Sequence, residues 1–361
     1  MCWQQAGEPL SFPPAESAEP EPHPIPIMPH VAIVGATGAV GEEMLLCLEQ
    51  RSFPVEKLSL LASARSKGKK RVFRGEEITI DELTPDSFAG VDIALFSAGG
   101  SISKQFGPIA AAAGAVVIDN SSAFRMDPEI PLVVPEINGP DALVHPKNII
   151  ANPNCTTIVT LMGVAPLHRA FGLRSLIAAS YQAVSGSGAQ GIYELESQMR
   201  QAVANEPVET KVYSRPIVSN VIPLIGPIEA NGYTQEEMKL QNEGRKILGH
   251  PNLKASITCV RVPVMRSHSV VVTAVFDRKV SPAEARKVLA NSPGVGVLDD
   301  PANLVFPTPL DTTNKDDCLV GRIRENLVLE NALDLWVVGD QVRKGAALNA
   351  VQIAEVLIAN R

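Results

Sequence analysis

Three observations predict an α/β protein in which a Rossmann-like, doubly wound dinucleotide-binding domain is followed by an α+β domain with a large mixed sheet. The chain has 361 residues, more than one hydrophobic core usually serves, so two domains are expected. A short apolar strand at His30 leads into three spaced glycines and then an amphipathic helix, in "HVAIVGATGAVGEEMLLCLEQ". Short strands and helices alternate to about residue 153, and longer Val- and Ile-rich strands take over beyond it.

Composition narrows the function classes. Hydrophobic residues make up 45% and charged residues 20%, ordinary for a globular chain with a sizeable core. A formal net charge of −7 and the lack of a long basic run argue against nucleic acid or an anionic membrane as partner. No apolar stretch reaches the roughly 18 residues of a membrane span. Five cysteines, an odd number, are scattered without a CxxC pair, which fits a reduced cytoplasmic protein and offers no metal-ligand spacing. Residues 1–28 are rich in Pro, Glu and Ala without hydrophobic period, and are expected to be a disordered tail. The tail lacks the basic start and apolar core of a signal peptide. Met28 stands directly before the first strand, so an early start is the other reading.

The elements follow in order. Gly35, Gly38 and Gly41 form GxxGxxG, where glycines let the backbone turn tightly and approach a pyrophosphate at a helix N-terminus. Cys47, on the apolar side of that helix, reads as core. The next strand ends "LLASARSKGKK". An NAD site would carry Asp or Glu there for the ribose 2′-OH, whereas Arg65, Ser66 and nearby lysines suit a 2′-phosphate. NADP is therefore favoured, against a solvated basic loop as the alternative. "VDIALFSAGG" is a buried strand ending in small residues that admit a nicotinamide or ribose closely, and "SISKQFGPIAAAAG" is a helix. "AVVIDNSSAFRM" is a strand and loop carrying Arg125, and "NIIANPN" is the last short strand. The glycine turn, Arg125 and Cys155 all follow strand ends, where ligands of such sheets bind.

Asn154 is a plausible N-cap for "CTTIVTLMGVAPLHRAF", which puts Cys155 in the first turn. The helix dipole and free N–H groups there favour a thiolate, and the same groups suit an oxyanion. Position alone leaves a structural cysteine and a nucleophile equally open.

"GATGAVG", "SSAFR", "NPNCTT", "YQAVSGSG", "CVRVPVMRSHS" and "GDQVRKGAALNA" stand in this order, and together they resemble aspartate-semialdehyde dehydrogenase from about His30 to the C-terminus. The resemblance implies interconversion of L-aspartate 4-semialdehyde, phosphate and NADP⁺ with L-aspartyl 4-phosphate and NADPH. The reductive direction would supply lysine, methionine, threonine and, in bacteria, diaminopimelate. It further implies Cys155 as nucleophile, His268 as acid/base and Gln182 as the residue that orients substrate beside the thiolate. Arg261 matches the arginine that clamps the substrate carboxylate. Arg125, Asn154 and Lys239 match phosphate-site residues, and Glu236 an amine contact. Cofactor contacts fall on Gly35, Thr37, Gly38, Ala39, Val40, Arg65, Ser66, Ser185, Gly186 and Gln341.

Those residue types suit the chemistry. An aldehyde gives up hydride only after a nucleophile makes it tetrahedral, and a thiolate does so while leaving a thioester. Phosphate then attacks, which calls for cations near the cysteine. The bland readings stand beside these. Among the six histidines, His145 and His250 precede prolines in turns and His168 lies on a helix beside Arg169. A lone histidine such as His268, in the polar break "MRSHS", is commonly structural, and only the family motif reverses that. Glu236 and Lys239, three apart on one helix face, otherwise read as a surface ion pair.

The expected organisation is an NADP-binding domain from 29–153 and 340–361, around a catalytic and dimerisation domain at 154–339. The family implies a homodimer or dimer-based tetramer through the flat sheet face to which "LDLWVVGD" belongs. Three alternatives are open. They are another phosphorylating aldehyde dehydrogenase (an N-acetyl-glutamyl-phosphate reductase or a glyceraldehyde-3-phosphate dehydrogenase relative), a non-catalytic NADP-binding paralogue, and a plain Rossmann dehydrogenase with an incidental cysteine. The Arg261 segment disfavours the first, the presence of Cys155, Gln182 and His268 the second, and Arg125 with Lys239 the third.

Overall fold

The structure is a computed structural model that describes residues 25–360. Most of the tail expected at 1–28 therefore lies outside the described residues. The first sheet holds β1 (His30–Val34), β2 (Lys57–Ala62), β3 (Lys70–Phe73), β4 (Glu76–Glu82), β5 (Ile93–Phe96), β6 (Val116–Asp119) and β7 (Ile149–Ala151). Their order is β3-β4-β2-β1-β5-β6-β7, parallel throughout except for the antiparallel β3–β4 pair. Without the edge strand β3 this is the doubly wound order, and the winding reverses between β1 and β5. Helices α1 (Ala39–Gln50), α2 (Gly100–Ala112) and the short α3 (Pro135–Asn138) belong to this half.

β1, β5 and β6 are buried along their whole length, as strands covered on both faces must be. Side chains alternate across the sheet: Val31 and Ile33 join Met44 and Leu48 of α1 in one core, and Ala32 and Val34 join Phe106 and Ala110 of α2 in another.

The second sheet takes over after α4 (Cys155–Phe171). It contains β8 (Leu173–Gln182), β9 (Lys254–Arg261), β10 (His268–Phe276), β11 (Val295–Val297), β12 (Cys318–Glu325) and β13 (Ala332–Gly339), in the mixed order β11-β12-β13-β10-β8-β9. The remaining helices are α5 (Gly188–Val203), α6 (Gln235–Ile247), α7 (Pro282–Ala290), α8 (Pro309–Thr312) and α9 (Leu348–Ala359). α4, α6 and α7 cover one face of this sheet. α4 has no polar stripe: Thr156 through Leu167 are buried without a break, each large apolar side chain contributing about 1.5–3 kcal/mol relative to exposure.

The opposite face is open. Ile177 is 53% exposed and Tyr181 39%, and the Tyr181 ring lies 5.5 Å from that of Trp336. α9 returns to the first sheet, where Leu348, Val351, Ile353 and Leu357 share the core of α1 and β1. Among the described residues no helix is long and apolar enough to cross a membrane, and no cluster of His, Cys, Asp and Glu is arranged to hold a metal ion.

Candidate active site

The two sheets meet at their functional ends. Gln182 and Arg261 are the last residues of the paired strands β8 and β9, and His268, the first of β10, pairs with Gly339 at the end of β13. α4 points its N-terminus into the same place from the end of β7.

Asn154 caps α4 as its position in the sequence predicts: its Oδ1 accepts from Thr156 N–H at 3.0 Å and Thr157 N–H at 3.1 Å. Its carbonyl takes Ile158 N–H at 2.9 Å. Of the four N–H groups that open the helix, only that of Cys155 is left for another acceptor. Gly345 lets the turn at Cys155 approach closely, because a Cβ there would lie 3.0 Å from Cys155 Cβ.

Cys155 Sγ stands 3.7 Å from His268 Nε2. Ala183 N–H donates to His268 Nδ1 at 3.1 Å, so in the neutral ring the proton resides on Nε2, facing the sulfur. His268 is wholly buried. Desolvation, and then the nearby Arg261 guanidinium, hold its pKa well below the usual imidazole value. Burial pushes the Cys155 thiol up and Glu236 pushes the same way, against Lys239, Arg125 and Thr156. Both shifts favour thiol and neutral imidazole over thiolate and imidazolium.

Glu236 organises the floor. Its Oε1 accepts from Asn154 Nδ2 at 3.0 Å and faces Gln182 Nε2 at 3.5 Å, while Oε2 accepts from Lys239 Nζ at 2.7 Å. Burial raises its pKa, but Lys239 and these hydrogen bonds outweigh that and keep it below the ordinary value. Arg261 donates from Nη1 to Ala183 O at 2.6 Å, and its buried Nε has no partner among the described residues. Arg125, also buried, donates from Nε to Asn152 O at 2.9 Å, from Nη2 to Asn120 O at 2.8 Å, and from Nη1 to Glu243 at 3.1 Å. One N–H on each terminal nitrogen is left over.

A crevice of about 430 Å³ joins this cluster to the glycine turn, lined among others by Gly38, Ala39, Val40, Arg125, Cys155, Ser185, Gly186 and Gln341. Gly35 has φ +89°, and a Cβ on it would meet Ser97 O at 2.7 Å. A Cβ on Gly41 would collide with the Gly35 carbonyl oxygen. No side chain caps the N-terminus of α1. Gln341 accepts Ser267 N–H at 2.8 Å and hydrogen-bonds Ser185, linking the crevice wall to the residue before His268. Thr37, Arg65 and Ser66 are not in this lining: Arg65 is exposed and Ser66 buried in the turn after β2.

Two participants escape a reading of motifs. Ala183 acts only through its backbone, which carries no residue signature. Glu243 does have a faint signal, its spacing from Glu236 and Lys239 on one helix face.

The comparisons agree across the chain. Residues 30–145 match the family described as semialdehyde dehydrogenase, NAD binding domain, and residues 164–344 the semialdehyde dehydrogenase dimerisation domain. The chain is 48% identical over 331 residues to the aspartate-semialdehyde dehydrogenase of Aquifex aeolicus, covering 91% of this chain and 97% of that one. It is 48% identical over 336 residues to that of Bacillus subtilis, with the same coverage. A Vibrio cholerae aspartate semialdehyde dehydrogenase II crystal structure superposes with a TM-score of 0.90 at 44% identity, covering 92% of this chain and 99% of that one. The Candida albicans enzyme solved with NADP gives a TM-score of 0.73 at 25% identity, covering 91% and 98%. With Cys155 beside His268 and lining a crevice shared with the glycine turn, and relatives of nearly half identity along its length, this chain belongs to the aspartate-semialdehyde dehydrogenase family.

Proposed function

We propose that the chain interconverts L-aspartyl 4-phosphate and NADPH with L-aspartate 4-semialdehyde, phosphate and NADP⁺, through a thioester on Cys155. The observation that carries this reading is the 3.7 Å approach of His268 to Cys155, which lines a crevice continuous with the glycine turn. The glycine contacts and the uncapped α1 N-terminus fit a dinucleotide pyrophosphate held by Gly38, Ala39 and Val40, with Thr37 in the same turn. Ser185, Gly186 and Gln341 line the same crevice as Cys155. Arg65, exposed after β2, supports NADP over NAD through the 2′-phosphate, with Ser66 in the same turn. When bound, the nicotinamide takes or supplies the hydride.

In the oxidative direction Cys155 gives up its thiol proton to solvent, Sγ bonds to the aldehyde carbon, and the carbonyl electrons move to oxygen. Cys155 N–H faces that oxyanion, and His268 Nε2 gives and takes its proton. Loss of hydride leaves the thioester. A phosphate oxygen then attacks the acyl carbon, and Cys155 departs as thiolate. Arg125 and Lys239 hold the phosphate, beside Asn154. Arg261 forks the substrate 1-carboxylate, Glu236 pairs with its amine, and Gln182 sets the reacting group against the sulfur. Glu236 also opposes ionisation of Cys155, so a substrate amine that pairs with this carboxylate favours the thiolate as it binds.

The open face of the second sheet supports a homodimer, and the unpaired cysteines Cys47, Cys155, Cys259 and Cys318 accord with a cytoplasmic setting. The test is NADP⁺ reduction with L-aspartate 4-semialdehyde. Turnover that requires phosphate and prefers NADP⁺ to NAD⁺ supports the reading. Reduction independent of phosphate removes the acyl-phosphate step.

A further inference from the structure

α6 presents Glu236, Lys239 and Glu243 on one face toward the start of α4. Glu243 lies one turn beyond the other two, is 2% exposed, and none of the roles above falls to it. Its carboxylate is shared between two partners. Oε1 accepts from Arg125 Nη1 at 3.1 Å, and Oε2 accepts from the backbone N–H of Asn154 at 2.7 Å. Asn154 is thus gripped twice by α6, through its side chain by Glu236 and through its main chain by Glu243. Its own side chain fixes the first turn from which Cys155 projects.

We propose that Glu243 is a positioning residue that acts as the shared counter-ion of the phosphate arm and the nucleophile turn. It offsets the charge of Arg125, so that phosphate is held loosely enough to turn over, and it fixes the backbone from which Cys155 attacks. The proposal rests on the phosphorylating reading above. Burial makes the role exacting, because Arg125 Nη1 and Asn154 N–H both lose this acceptor without it. Arg125 retains its bonds to Asn152 O and Asn120 O, so loss of Glu243 changes mainly the charge it shows to the crevice. Among the described residues the Asn154 N–H has no second acceptor, so the same loss loosens the turn.

Glu243→Gln separates these effects from mere stability. The amide is neutral and cannot accept at both ends. Expected are a phosphate KM lowered by about threefold or more, a kcat lowered by about tenfold, and a semialdehyde KM within about twofold of the parent. Glu243→Asp keeps the charge on a shorter arm, so phosphate KM returns toward the parent value while kcat stays low. Constants are referred to the fraction of Cys155 titrated by iodoacetamide in the folded enzyme. An unchanged phosphate KM in Glu243→Gln overturns the proposal. So does a fall in folded protein with parental constants in what remains, for either variant, since Glu243 is then only structural. Absence of phosphate-dependent turnover in the parent is a different failure, and removes the functional reading itself.

Discussion

At the scale of single residues, the site combines groups that are reactive in principle and restrained at rest. His268 has no carboxylate to stabilise a second proton: one nitrogen accepts from Ala183 N–H and the other faces Cys155. Its folded-state pKa lies below the unfolded value of about 6.5, so the unfolded chain binds a proton that the native one refuses. Stability from this group is complete above about pH 6.5 and declines as pH falls below it. Urea unfolding at pH 7 and pH 5 should therefore show a smaller acid-side loss in His268→Gln than in the parent, and equal losses contradict the assignment. Cys155 and its cap were legible in the sequence because Asn-Pro-Asn before an apolar run has one local meaning. Glu243 and Ala183 were not, because their partners are far away in the chain and one acts through main chain alone.

At the scale of elements, backbone closeness governs. α1 begins hard against the turn that precedes it, and the Gly35 carbonyl occupies the space a Cβ on Gly41 would need. Gly41→Ala must move backbone, at about 1–3 kcal/mol, and it moves the anion-binding N–H groups with it. A lowered melting temperature and an NADPH Kd raised by about tenfold are expected, by thermal unfolding and fluorescence titration. Parental NADPH affinity would remove the glycine turn from the cofactor site. The alternation of strands and helices was readable up to β7, since each has its own period. The β3–β4 hairpin was not: its two-residue turn is Arg74-Gly75, both at positive φ, where Asn or Asp before glycine gives the usual signal.

At the scale of the whole molecule, the second sheet is covered by helices on one side only. Ile177, Tyr181 and Trp336 occupy the other, an apolar face that a second copy of the chain would bury. Ile177→Arg should weaken the dimer by roughly 30-fold or more, about 2 kcal/mol, in sedimentation equilibrium, since the charge is stranded in the contact. An unaltered dimer would place the interface elsewhere. Sequence patterning foretold a large mixed sheet, because its strands are long and Val-rich. It did not foretell that the ends of β8, β9, β10 and β13 converge on the α4 N-terminus, which depends on strand order.

In the proposed reaction, hydride leaves a substrate bonded to Cys155 before phosphate arrives. Mixing the enzyme with NADP⁺ and L-aspartate 4-semialdehyde in phosphate-free buffer tests it most directly. The expected result is a burst of about one NADPH per active site, with the Cys155 peptide carrying an aspartyl adduct in mass spectra and no burst in Cys155→Ala. A burst that persists in Cys155→Ala, or steady turnover with the peptide unmodified, contradicts the thioester route.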